Sequence, residues 1–89
     1  MNDASQFRLR KNGVSWRELD GQIVVLDLES SKYVTVSGAG AVIWERLVPG
    51  TTVDEIVSAL VEVFDIDEAT ARADTESFLE DLRQRNLLR

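Results

Sequence analysis

From Phe7 onward, apolar residues alternate with polar ones, and short turn-forming pairs interrupt the alternation at regular intervals, the pattern of a β-meander. Phe7 and Leu9 alternate with Arg8 and Arg10. Asn12-Gly13 then offers the positive-φ residues of a tight hairpin, so residues 14–19 are expected to pair back on that first run. Asp20-Gly21 is a second signal of the same kind and leads into residues 22–28, where both faces are largely apolar, as a central strand requires. Glu29-Ser30-Ser31 turns the chain into Lys32–Val36, which places Val34 and Val36 on one face and Tyr33 and Thr35 on the other.

Beyond Val36 the apolar period changes from two to nearly four, and three helices are predicted. The first covers about residues 39–48, with Ser37 as its cap and Val42, Ile43 and Leu47 buried, and Pro49-Gly50 ends it. Thr52-Val53-Asp54-Glu55 fits a capping box, followed by an apolar stripe of Ile56, Leu60 and Phe64. Asp67 caps the third helix, which extends to about Asn86 with Ala71, Phe78, Leu79 and Leu82 inward and Leu87-Leu88 beyond. The fold class is therefore α+β: an N-terminal antiparallel β-meander of three to four strands followed by three helices, a winged-helix-like order. At 89 residues one core is expected, a single domain over residues 1–89, with the polar residues 1–5 disordered.

Composition narrows the chemistry. The chain contains no cysteine and no histidine, which removes disulfides, thiolate nucleophiles, the usual zinc sites and the commonest general base near neutral pH. No metal, other cofactor or catalytic residue is expected. Apolar runs fall well short of the ~20 residues of a membrane span, and the start of the chain lacks a basic stretch followed by an apolar one, so the expectation is a cytoplasmic protein with no membrane partner. The net charge of −6 is unevenly distributed: residues 1–36 hold five basic and five acidic groups, whereas residues 37–89 hold five basic against eleven acidic. An acidic helical half opposes binding to phosphate backbones, whose affinity comes largely from Lys and Arg.

Several motifs have a functional and a structural explanation. Gly38-Ala39-Gly40 lies between a strand and a helix, as a dinucleotide-binding loop would, but Ile43 occupies the third glycine position and hairpins replace helical crossovers, which favours a tight turn. Asp65, Asp67 and Glu68 lack the further oxygen ligands and central glycine of a calcium loop, and helix capping accounts for them. Asp74, Glu76, Glu80 and Asp81 form a solvated acidic face that could also read a partner. Trp16 and Trp44 are assigned to the core.

Lys32–Val36 is the last strand, so in a sequential meander it lies at the sheet margin with backbone groups unpaired on one side. Only Lys32 blunts that edge. An extended peptide could add a strand there, with Val34 as an expected edge donor and Tyr33, Val34, Phe78 and Leu82 lining a groove beside the third helix.

The segments Val25-Leu26-Asp27-Leu28-Glu29-Ser30-Ser31-Lys32-Tyr33, Gly38-Ala39-Gly40-Ala41-Val42-Ile43-Trp44, Thr52-Val53-Asp54-Glu55-Ile56-Val57 and Phe78-Leu79-Glu80-Asp81-Leu82, with Leu87-Leu88, together resemble the PqqD-like family. Family members often have Leu-Asn where Val36-Ser37 stand, a change that keeps an apolar residue and a capping residue. The resemblance implies a recognition element for ribosomally made, post-translationally modified peptides, which binds the precursor's leader by strand addition between the third strand and the third helix. A free-standing copy of this length is similar to the discrete recognition proteins of lasso-peptide pathways, which work with a leader peptidase and a cyclase or other modifying enzyme, and to the peptide chaperone of pyrroloquinoline quinone synthesis. The leader-binding residues so implied are Lys32, Tyr33, Val34, Thr35 and Val36 on the strand and Asp74, Phe78, Asp81 and Leu82 on the helix.

The alternative is a winged-helix regulator that binds nucleic acid, with an enzyme third. Charge separates the first two. A peptide binder with this acidic helical half is expected to pass through a phosphate-bearing column at low salt, and retention there would favour the regulator.

Overall fold

The structure is a computed structural model that describes residues 6–89, and the disorder expected of residues 1–5 lies outside them. Three strands carry the meander: β1 (Val14–Leu19), β2 (Gln22–Asp27) and β3 (Lys32–Val36), all antiparallel and ordered β1-β2-β3. Asp20 and Gly21, at φ 53° and 79°, form the two-residue turn between β1 and β2, closed by the Leu19–Gln22 pair. β2 is central, as its apolar residues predict.

Strand alternation divides the sheet into an inner face, with Trp16, Ile23, Val25, Val34 and Val36, and an outer face, with Val24, Leu26, Tyr33 and Thr35. Three helices, α1 (Ala39–Leu47), α2 (Val53–Phe64) and α3 (Glu68–Gln84), cover the inner face. Ile43, Trp44, Leu47, Ile56, Leu60 and Leu82 are almost wholly buried beneath Ile23 and Val25. At about 1.5–3 kcal/mol for each such side chain, this contact between layers is the main source of stability.

The run around Phe7–Arg10 departs from its expected hairpin. Instead of pairing with β1 through Asn12-Gly13, Phe7 bridges Thr51 and Leu9 bridges Leu88. The bonds Phe7 N–H to Thr51 C=O (2.7 Å), Arg10 N–H to Leu87 C=O (2.7 Å) and Arg89 N–H to Arg8 C=O (2.9 Å) hold it across the helical layer. Leu9 is thereby buried in the main core, a position that a hairpin on the margin of the sheet would not have provided.

Helix ends follow local chemistry. The α2 capping box is complete: Glu55 N–H donates to Thr52 Oγ1 and Thr52 N–H to Glu55 Oε1, both at 3.2 Å. Asp67 Oδ1 accepts from Thr70 N–H at 3.0 Å. Ser37 does not cap α1. The cap is Gly38, with φ 58° and ψ −130° and no side-chain bond, because the strand-to-helix turn is tight enough to need a conformation that side chains resist. Gly40 completes the explanation of this segment: a Cβ there would come within 3.0 Å of the Phe78 ring, so a close approach of α1 to α3 requires the glycine. Two apolar positions are also less buried than expected, Val42 being half-buried and Phe64, the last residue of α2, 39% exposed.

α3 ends at Gln84 in a Schellman arrangement. Asn86 takes a left-handed φ of 61°, Asn86 N–H donates to Arg83 C=O, and Leu87 N–H donates to Leu82 C=O. This turn carries Leu87 back into the core. Trp44 is fully buried, whereas Trp16, assigned to the core, stays 41% exposed because β1 is a margin of the sheet. It packs edge-on to Trp44, with centroids 5.6 Å apart.

Thr52→Ala removes one side of the capping box and is expected to lower stability by about 1 kcal/mol, read as a shift of the urea midpoint. Asp27 has its pKa lowered from 3.8, chiefly by the bond it accepts from the Arg10 guanidinium. A carboxylate whose folded pKa is depressed contributes stability above its unfolded value and loses that contribution as pH falls. Acid titration should therefore show a stability loss beginning near pH 3.8 and continuing below it, and Asp27→Asn should flatten that limb.

Candidate peptide-binding groove

The open edge of the sheet is β3, and register decides which of its backbone groups face outward. In an antiparallel ladder, successive residues direct both their N–H and C=O to alternate sides. Leu28 N–H donates to Gly13 C=O at 2.7 Å, and Leu19–Gln22 closes the first turn, so the even-numbered residues of β2 bond to β1. Ile23, Val25 and Asp27 must then bond to Val36, Val34 and Lys32. Val34 is consequently engaged inside the sheet and is not an edge donor, contrary to the sequence expectation. The free N–H and C=O groups belong to Tyr33 and Thr35.

Beside this edge lies a cavity of about 440 Å³ between the start of β3 and the end of α3. Lys32, Tyr33 and Val34 form one wall, and Gln84, Arg85, Asn86 and Leu87 the other. Arg10, Asp27 and Glu29 close one end.

Arg10 fixes that end. Its Nη2 lies 2.7 Å from Asp27 Oδ1 and 3.1 Å from Gly13 O, its Nη1 donates to Asn86 O at 2.8 Å, and its Nε donates to Asn12 O at 2.9 Å. Glu29 Oε1 lies 3.5 Å from Nη1. Both side chains of the Arg10–Asp27 pair are only 15% exposed. A planar guanidinium can satisfy these acceptors together, which a lysine ammonium cannot.

The residues expected to bind a peptide are distributed as follows. Val34 faces the groove and is half-buried, with Lys32 on the same face and without a carboxylate within 4.0 Å among the described residues. Tyr33 borders the cavity, while strand alternation puts its side chain on the outer face, 72% exposed. Thr35 is exposed on that same face, and Val36 is 7% exposed within the core. Phe78 is half-buried where β3 ends, against Gly40 and outside the cavity lining. Leu82 does not reach the groove surface: it is 1% exposed and packs beneath the wall. Asp81 is engaged with Arg85 at 3.1 Å, and Asp74 is exposed one turn before Phe78, outside the cavity lining.

Sequence reading missed Arg10 and the turn residues 84–87. Nothing local marks them, because Arg10 meets Asp27 and Asn86 across 17 and 76 positions of chain. Among the described residues no cluster of three carboxylates is placed to hold a metal ion, and no helix is long and apolar enough to cross a membrane.

The fold has close counterparts among solved structures. TbiB1 in complex with the TbiA(beta) leader peptide superposes with a TM-score of 0.84 at 28% identity, over 91% of this chain and 93% of that one. Lasso peptide synthetase B1 complexed with the leader peptide matches with a TM-score of 0.83 over 93% of this chain and 96% of that one, at 24% identity. No curated protein matches the sequence. The model of the coenzyme PQQ synthesis protein D family matches residues 22–88, which takes in β2, β3, all three helices and the Schellman turn that walls the groove. From the central strand to the end of the groove, then, this chain belongs to the PqqD family.

Proposed function

We propose that this protein binds the leader segment of a ribosomally made precursor peptide by strand addition to β3 and delivers it to a leader peptidase and a cyclase, or another modifying enzyme, in lasso-peptide or related biosynthesis. The observation that carries the reading is the pair of free backbone edges at Tyr33 and Thr35 beside a cavity walled by the last residue of α3 and the turn that follows it. TbiB1, 28% identical, is itself a leader-peptide complex, which supports the same role here. The protein supplies recognition and its partners the chemistry, in the cytoplasm.

Energetics require the groove as well as the edge. An added backbone hydrogen bond nets about 0.5–1.5 kcal/mol, while ordering a peptide residue costs about 1–2 kcal/mol, so pairing alone roughly breaks even. Apolar leader side chains buried against Val34 and Phe78 contribute the surplus, at about 1.5–3 kcal/mol each. Lys32, with no carboxylate within 4.0 Å among the described residues, favours a leader with an acidic or carbonyl group beside the start of β3. Nucleic acid is disfavoured by the eleven acidic groups of residues 37–89.

The test is a fluorescence-polarisation titration with labelled leader peptides encoded beside this chain in its genome, and a scrambled leader as control. Saturable binding of one leader and none of the scrambled peptide is expected. Thr35→Pro, which removes an edge donor at an exposed position, should weaken binding about tenfold or more, and Phe78→Ala by a similar factor, with circular dichroism confirming that both variants fold. A folded Thr35→Pro protein that binds like the parent would exclude strand addition at this edge.

A further inference from the structure

The outer face of the sheet carries an apolar surface that groove binding does not use. Leu26 is 38% exposed and Tyr33 72% exposed, and they stand directly opposite each other on β2 and β3. The phase derived above makes this a non-hydrogen-bonded pair, the kind whose side chains lie closest, with Cα atoms about 4.5 Å apart. Leu28, 58% exposed, follows Leu26 at the same parity. Ser15, the β1 partner of Leu26, completes the row without a charge. The patch therefore extends to the free edge at Tyr33 and stops where an added strand would begin.

We propose that the leader is read on both faces of the added strand, with Tyr33 and Leu26 forming an outer-face subsite for one apolar leader side chain. The proposal rests on the leader-binding reading and deepens it. Successive residues of any added strand point to opposite faces, so only every second leader residue can enter the groove beside Val34. The residue aligned with Tyr33 must stand on the outer face, whichever direction the strand runs. Its Cβ falls about 4.5–5.5 Å from that of Tyr33, within contact range. Leu26, Tyr33 and this residue form one continuous row, which an aromatic or branched aliphatic side chain extends and a charged one would interrupt. The neighbouring row is Val24 and Thr35, so the leader residue two positions away meets a hydroxyl-bearing side chain and tolerates polar replacement.

Parity makes the proposal testable. Tyr33→Thr keeps a strand-forming residue at an exposed position, so the fold is retained. Parent, Tyr33→Thr and Phe78→Ala are titrated by fluorescence polarisation against the synthetic leader of the adjacent precursor and its single-alanine variants. Tyr33→Thr should weaken binding about 3- to 10-fold, and the loss should vanish when one particular leader residue is already alanine. That residue should lie an odd number of positions from the one that couples to Phe78. Unchanged affinity in Tyr33→Thr, alongside losses in Thr35→Pro and Phe78→Ala, overturns the outer-face subsite while strand addition stands. Coupling at an even offset overturns it equally. If affinity is unchanged but processing by the partner enzyme fails, the face belongs to that enzyme and not to the leader. Failure of the parent itself to bind any leader overturns both readings.

Discussion

Arg10 is the side chain on which the geometry of the groove depends. It bonds the carbonyls of Asn12 and Gly13 before β1, the carboxylate at the end of β2 and the carbonyl of Asn86 after α3. Of these groups, Asp27 and Asn86 line the cavity together with Arg10 itself. Charge-assisted bonds to a largely buried guanidinium are stronger than neutral ones, and removing the side chain would take this donor from the Asn12 and Asn86 carbonyls, while Gly13 O keeps Leu28 N–H and Asp27 Oδ1 keeps Glu29 N–H. The Schellman turn brings the Asn86 carbonyl to the clasp, and the same turn returns Leu87 to the core. The end of α3 thus stays close enough to β3 to form a wall and far enough to leave about 440 Å³ open.

An exposed strand edge is normally a hazard, and proteins blunt it with charge, proline or a covering element. Here the described part of β3 has Lys32 alone as protection, with Tyr33 and Thr35 unpaired at the edge. Selectivity cannot come from those backbone groups, since every peptide offers the same ones. In the proposed complex it arises from side chains on either side of the added strand: the half-buried Val34 and Phe78 on the inner side, and the exposed Tyr33 and Leu26 on the outer. The close packing of Gly40 against Phe78 fixes the ring where β3 ends and ties α1 to α3.

Much of this could be read from local sequence. Strand alternation, the Asp20-Gly21 turn, the capping box at Thr52 and the Asp67 cap are interactions within a few residues, so spacing alone specifies them, and β2 was legible as central because both of its faces are apolar. The candidate site was legible only in outline. Spacing placed Phe78 and Leu82 on one inner face of α3, but a helix has a buried centre and a flank, and the packing of α3 against the other helices sends Leu82 to the centre and leaves Phe78 on the flank. Side-chain alternation says which face Val34 is on but not which way its N–H points, because hydrogen-bond phase is a separate property that depends on where the first hairpin closes.

By itself, then, the sequence determined the kinds of element, their order and most of their ends, together with an acidic second half without histidine or cysteine. Tertiary structure decided the rest: that Phe7 and Leu9 bridge Thr51 and Leu88 and do not pair with β1, that Tyr33 and Thr35 hold the open edge, and that Arg10 clasps α3 to the sheet. The physical reason is range. Periodicity and caps act over one to four residues, whereas the contacts that shape the groove join groups 17 and 76 residues apart, and only packing of the whole chain brings these together.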